Sequence, residues 1–134
     1  MGFIDFSELN EYTNEIIEKF NVKTTGVSAL ASSLSGGNLQ KFVVGREIGQ
    51  KPSLFIVNQP TWGVDALSAA NIRQAIVDIA NTGAAIILIS QDLDEILEIS
   101  NKVAFLTNGK LSVPTNTMDI KTDEIGAIMG GIGD

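Results

Sequence analysis

Two short apolar runs, Leu54–Val57 and Ala84–Ile89, constrain what this chain can fold into more than any other feature. Each has the length of a buried strand and stops at polar residues. Asn58-Gln59-Pro60 ends the first and Ser90-Gln91-Asp92 the second. Between them Ala69, Ile72, Ile76, Ile79 and Ala80 recur at helical spacing over 66–82, and Gly83 supplies a stop. Strand, helix, strand predicts a parallel pair joined by a right-handed crossover. The alternation continues with a helix over 91–99 capped by Ser90 and a third strand at Val103–Leu106. Asn108-Gly109 predicts a type I′ hairpin into Leu111-Ser112-Val113. The fold class is therefore α/β with a mostly parallel sheet.

On the N-terminal side, Phe6, Leu9, Tyr12, Ile16, Ile17 and Phe20 are spaced by three and four, one face of a helix. Asp5 followed by Glu8 resembles a capping box for it. Residues 21–35 are small and polar and read as loop. A second helix opens at Ser35-Gly36-Gly37, carries Leu39, Phe42 and Val43, and ends before Pro52. Thr122 is placed as the cap of a last short helix.

Composition removes several chemistries. The 134 residues include no Cys and no His. That excludes a disulfide framework, a thiol nucleophile, a Ser-His-Asp triad and any His-based metal site. Sixteen acidic against nine basic residues give a net charge of −7, which argues against a nucleic-acid partner. The longest apolar run, Ala84–Ile89, is far below the ~20 residues of a membrane span. Met-Gly-Phe-Ile-Asp at the start has neither the basic nor the apolar region of a secretory signal, so a cytoplasmic location is expected.

Three segments carry candidate chemistry. In Leu34-Ser35-Gly36-Gly37-Asn38-Leu39-Gln40-Lys41, two glycines at a helix start leave backbone N–H groups uncovered by any Cβ. Those donors and the positive helix end suit an anion, with the Ser35 hydroxyl beside them. Taken alone the segment reads rather as a flexible loop with a serine cap. Asn58 and Gln59 fall at the carboxyl end of a strand, where α/β proteins bind ligands, or else start a turn before Pro60. Ser90-Gln91-Asp92 repeats that placement and alone reads as a helix cap.

In this order and spacing the three resemble the ATP-binding cassette (ABC) ATPases, from about residue 26 to 113. Leu34 to Gln40 is similar to the ABC signature loop, Phe55 to Gln59 to the Walker B strand, and Val64-Asp65 to the D-loop. Gln91 stands at the switch position. Leu-Ser-Gly-Gly-Asn-x-Gln-Lys, Gln-Pro-Thr-x-Gly-Val-Asp and Ser-Gln-Asp-Leu-Asp-Glu are most similar to the second cassette of tandem ATPases that serve sugar and nucleoside importers. The sequence has no G-x-x-x-x-G-K-[S/T], so it looks like the C-terminal half of one cassette, by truncation or by a split gene. The resemblance implies a partial P-loop NTPase fold lacking the P-loop strand. It divides the chain into the end of a helical subdomain (1–34), a signature-to-switch core (34–113) and a C-terminal helical tail (114–134).

The resemblance also implies roles. Ser35, Gly36, Gly37, Asn38 and Asp65 would bind nucleotide. Asn58 stands where the family has the Asp that orders Mg2+, and Gln59 where it has the catalytic Glu. Asn58 lacks the charge, Gln59 cannot accept a proton from water, and Gln91 lacks the imidazole of many relatives. An intact signature beside a degenerate Walker B site implies a cassette whose signature completes a partner's site in trans. ATP and Mg2+ are the implied cofactors of the intact assembly. A P-loop-bearing cassette and membrane permease subunits are the implied partners, at the cytoplasmic face of the inner membrane. Two other readings compete: a non-catalytic half-cassette that dimerises or regulates, and a soluble ABC-type ATPase of DNA repair.

The missing strand has a physical consequence. Its neighbours would present unpaired N–H and C=O groups. Either 103–106 shifts to pair with 85–89, or two copies associate through the exposed sheet edges. Trp62 reads as a partly exposed D-loop residue, and Asp92-Asp94-Glu95 as a solvated helix start. For Lys41 and Arg46 the sequence leaves solvent and partner both open.

Overall fold

A computed structural model of the protein describes residues 4–120. They form two compact units, divided after Ile89. The first contains α1 (Phe6–Lys19), a 3-10 turn (Ala31–Ser33), α2 (Gly36–Gly49), β1 (Leu54–Asn58), α3 (Ala66–Asn81) and β2 (Ala85–Ile89). The second contains α4 (Leu93–Ile99), β3 (Lys102–Val103), β4 (Leu106–Thr107), β5 (Lys110–Leu111), β6 (Thr115–Asn116) and a 3-10 turn (Thr117–Asp119).

The helices of the first unit start where side chains satisfy the open N–H groups. Asp5 accepts from the amides of Ser7 and Glu8 at 2.8 and 3.2 Å and starts α1. Ser35 starts α2 and Asp65 starts α3. Gly83, at φ +98°, takes the left-handed conformation that ends α3, as its position predicts. The core of this unit is Ile16, Phe20, Val44, Ile48, Phe55, Val57, Ile72, Ile76 and Ile79, all buried. Of the predicted α1 face, Ile16 and Phe20 reach that core, while Phe6 and Leu9 stay exposed.

Helices α1 and α2 run in opposite directions at close range. The Tyr12 hydroxyl donates to the Arg46 carbonyl at 2.7 Å near one end. The Lys41 ammonium donates to the Asn21 carbonyl at 2.7 Å near the other. Gly45 makes the approach fit: a Cβ there would stand 2.6 Å from the Phe20 ring and 2.9 Å from Ile16 Cγ2.

β1 and β2 pair in parallel in the register Leu54↔Ala85 through Asn58↔Ile89, as the strand–helix–strand pattern requires. Their burial departs from expectation. Phe55 and Val57 are buried, but Leu54, Ile56, Ile87 and Ile89 are about half exposed, between 49% and 59%. The sheet has two strands and its first unit covers one face, so the apolar residues of the other face meet solvent.

The second unit corrects the sequence reading at three points. Val103–Leu106 is not one strand. Lys102–Val103 pairs antiparallel with Thr115–Asn116, and Leu106–Thr107 pairs with Lys110–Leu111. Among the described residues 103–106 does not pair with 85–89, because Val103 pairs with Thr115 and Leu106 with Leu111. Asn108 and Gly109, at φ +51° and +76°, make the predicted type I′ turn. The second correction is the α4 cap. It is Asp92, whose carboxylate accepts from the Glu95 amide at 3.1 Å, while Ser90 accepts from the Asp92 amide. The third is Glu95, which is 1% exposed rather than solvated. The tail expected as helical begins with β6 and a 3-10 turn, and the Thr122 cap lies outside the described residues.

Substituting Gly45→Ala tests the helix contact. Alanine favours a helix over glycine by about 1 kcal/mol, but overpacking costs ~1–3 kcal/mol when the neighbours are buried. Phe20 and Ile16 are both buried, so the variant is expected to lose ~1–2 kcal/mol in urea unfolding. Equal or greater stability would mean the helices can separate freely.

Candidate functional site

The site is built on the first turn of α2 and the loop that leaves β1. Ser35, with extended backbone, caps α2. Its Oγ accepts from the Asn38 amide at 3.4 Å and from Asn38 Nδ2 at 2.9 Å. Asn38 also reaches away from the turn: its Oδ1 accepts from the Lys23 amide at 2.9 Å and holds the loop after α1. The amides of Gly36 and Gly37, the first two of the helix, meet no acceptor among the described residues. Gly36 is exposed, and a Cβ on it would meet nothing within 4 Å. Two donors at a positive helix end, bare of side chains, are a seat for an anionic oxygen.

Gly37 differs from Gly36 in kind. A Cβ there would lie 2.6 Å from the Gly63 carbonyl oxygen, a backbone atom. The first turn of α2 therefore rests directly on the loop after β1. That loop is sharply bent. Asn58 ends the strand exposed, Gln59 adopts φ +50° and Gly63 φ +71°. The Gln59 amide donates to the Ile89 carbonyl at 2.8 Å, which extends the β1–β2 ladder by one bond. Gln40 Nε2 donates to the carbonyls of Gln59 and Pro60, both at 3.1 Å.

Asp65, expected to face nucleotide, has both carboxylate oxygens engaged by one residue. Oδ1 accepts from the Ser68 amide at 3.0 Å and Oδ2 from the Ser68 hydroxyl at 2.7 Å. The Ser68 hydroxyl, then the Ser68 amide and, more weakly, the Lys41 ammonium hold its carboxyl below the usual carboxylate range. In this arrangement Asp65 caps α3 and anchors the far end of the loop. Lys41, whose placement the sequence left open, is buried at 4% exposure, and Arg46 is exposed and paired with Glu47. The inward turn of Lys41 has a sequence signal: Lys41, Val44, Gly45 and Ile48 are spaced by three and four, one buried face.

The structure thus brings Gly36, Gly37, Asn38, Gln59 and Asp65 into one loop cluster. Gln91 belongs to the second unit, exposed one residue before the α4 cap. Trp62 is 71% exposed, as its loop position predicts. Gln40 and Gly63 lie inside the sequence motifs, but their roles depend on partners distant along the chain. A divalent cation is a different matter from an anion. Among the described residues there is no group of three His, Cys, Asp or Glu that could hold one. Asn58 offers a neutral oxygen alone, and Mg2+ is usually held by carboxylates and phosphates. The described residues do not by themselves build a magnesium site.

This cluster and the fold can be set against known proteins. No protein-family model matches the chain. The dimeric post-hydrolysis structure of the ATP-binding cassette MJ0796 superposes with a TM-score of 0.75 at 18% identity, over 87% of this chain and 50% of that one. A putative metal-chelate type ABC transporter in an inward-facing conformation gives a TM-score of 0.74 at 18% identity, over 98% of this chain and 51% of that one. These likenesses give the fold. Among curated proteins, the nucleoside import ATP-binding protein NupA of Lactococcus lactis is 37% identical over 130 residues, 97% of this chain and 26% of its own length. The chain belongs to the ATP-binding cassette family. The glucose import ATP-binding protein TsgD13 of Haloferax volcanii is 38% identical over 98% of this chain, and the galactose/methyl galactoside import ATP-binding protein MglA of Escherichia coli 34% over 93%. This ABC chain spans about a quarter of the length of those relatives, 24% and 25% respectively. No helix among its described residues is long and apolar enough to cross a membrane.

Two outcomes are expected. Gly36→Ala should fold as the wild type does, because its Cβ enters open space. Gly37→Ala should move the α2 start off Gly63 and lower the urea midpoint, with a change in the fluorescence of Trp62, the one tryptophan of the chain. Equal behaviour of the two variants would contradict the contact. The Asp65 prediction follows from its lowered pKa. A depressed folded-state pKa contributes stability above the unfolded value, and that contribution is lost as pH falls through the folded one. The wild type should therefore exceed Asp65→Asn at pH 7 and lose that margin as pH falls below about 4. A margin independent of pH would show the charge plays no part.

Proposed function

We propose that this chain is the signature-bearing half of the ATP-binding subunit of an ABC importer for a sugar or a nucleoside-like solute. The observation that carries this reading is the pair of unbonded amides at Gly36 and Gly37, on an exposed turn pinned to the strand-end loop. The relatives' names, nucleoside, glucose and galactose import, support the solute class. The subunit would work on the cytoplasmic face of the membrane against permease subunits.

Within that reading the residues divide by chemistry. Gly36 and Gly37 donate to the terminal phosphate of a nucleotide held by another polypeptide's P-loop. The Ser35 hydroxyl, whose acceptor side Asn38 occupies, has its proton left to donate to the same phosphate. Asn38 holds the turn through Ser35 and Lys23. Gln59 orients water by hydrogen bonding but takes no proton from it, and Asn58 contributes no charge. Gln91 is a neutral polar group at the switch position. Asp65 fixes the loop from its far end. ATP, when bound, supplies the phosphoanhydride whose cleavage drives transport. The chain's own Walker B side is thus slow in hydrolysis, while its signature side serves a competent partner. Residues 1–34 close the helical subdomain. The bare apolar face of β1–β2 is the surface on which the rest of the cassette fold packs.

Calorimetry tests the reading. A P-loop-bearing cassette is titrated with ATP alone and with an equal amount of this chain. The mixture should bind more tightly than the partner by itself. Ser35→Arg should remove that gain, and Gln59→Ala should leave it in place. If both variants abolish the gain, or neither does, the division of roles is wrong.

A further inference from the structure

The loop after β1 contains an unusual backbone. Gln59 is neither glycine nor asparagine, yet it sits at φ +50°, directly at the end of a strand. A side chain in that region is disfavoured and persists where surrounding structure holds it. Pro60 follows it and is buried at below 2% exposure. Two consecutive carbonyls, of Gln59 and Pro60, therefore point into a crowded loop and need donors. The Gln59 carbonyl also accepts from the Trp62 amide at 3.2 Å. The Pro60 carbonyl has no donor other than Gln40 among the described residues.

We infer that Gln40 is a positioning residue that ties the anion-binding turn of α2 to the backbone of Gln59. A primary amide nitrogen carries two hydrogens, and Gln40 Nε2 uses one for each carbonyl, at 3.1 Å apiece. No other uncharged side chain of this length offers that pair. Leucine has the bulk without the donors, and glutamate would set negative oxygens against two carbonyl oxygens. Gln40 lies one turn along α2 from Gly36 and Gly37, on the same rigid element. A displacement of the glycine turn therefore reaches Gln59 through Gln40, in addition to the direct Gly37–Gly63 contact. The result is a mechanical link between the signature turn and the residue at the catalytic position of this same chain. That functional consequence rests on the anion reading of Gly36 and Gly37; the tie itself does not.

The test is nuclear magnetic resonance on the labelled chain. In the wild type, the Gln40 side-chain amide hydrogens should exchange with solvent about tenfold more slowly than those of exposed Gln50. Gln40→Leu should keep the α2 amide signals while shifting those from Gln59 to Gly63. Gln59 should then lose the carbon shifts of a positive φ. Gln74→Leu, which removes an exposed glutamine bond to Asp78 on α3, should leave Gln59 unchanged. Inorganic phosphate should shift Gly36, Gly37 and Gln59 together in the wild type, and the Gln59 response should fall sharply in Gln40→Leu. Exchange at Gln40 as fast as at Gln50 overturns the tie, with no variant needed. So does a folded Gln40→Leu with Gln59 signals unmoved. If Gly36 and Gly37 respond to phosphate and Gln59 does not, the link fails while the anion seat stands. If neither glycine responds, the anion reading fails, and exchange at Gln40 still decides the tie.

Discussion

The contact between Gly37 and the Gly63 carbonyl is the constraint on which the rest of the site depends. A helix start and a strand-end loop can approach this closely because residue 37 has no Cβ to occupy the 2.6 Å available. The approach has two effects. It places the first turn of α2 beside the carboxyl end of β1, where α/β proteins gather their chemistry. It also leaves the outer side of that turn bare, so the amides of Gly36 and Gly37 are donors without acceptors among the described residues. Gly36 and Gly37 look alike in the sequence, yet one keeps a surface open and the other permits a backbone contact.

Around this contact the polar side chains work mostly as fasteners. Asn38 holds the 21–24 loop, Gln40 the Gln59-Pro60 carbonyls, Lys41 the Asn21 carbonyl, and Asp65 the start of α3. Each satisfies a backbone group that would otherwise be buried or left open. The Asp65 carboxylate caps α3 through Ser68. The groups left to act on an anion are neutral amides and one hydroxyl. Asn58 is exposed at the strand end, so its polar side chain does not disturb the packing.

The β1–β2 pair shows how far local pattern carries. Both strands, their parallel register and the helix between them are written in the alternation of apolar runs and helical spacing. What covers each face is not. A two-stranded parallel sheet has one face packed by its own helices, and its other face keeps Leu54, Ile56, Ile87 and Ile89 half exposed. The apolar character of all these residues is the same, so composition cannot say which of them meets solvent. The third strand failed for a related reason. Val103–Leu106 is apolar enough for a buried strand, but a nearby hairpin and residues 115–116 compete for its hydrogen bonds, and the local partners win because they cost less chain ordering.

The sequence alone determined the starts of α1 and α2, the parallel pair, the type I′ turn and the family to which the chain belongs. All of these rest on interactions within a few residues or on motif order. It also placed Asn58 and Gln59 at the end of the first apolar run and Gln91 just after the second. Tertiary structure decided what the polar groups do physically: that Asp65 caps α3, that Glu95 is buried, and that Gln40 bridges two carbonyls far along the chain. Such outcomes depend on which backbone groups two distant segments leave unsatisfied when they meet, and no local spacing encodes that.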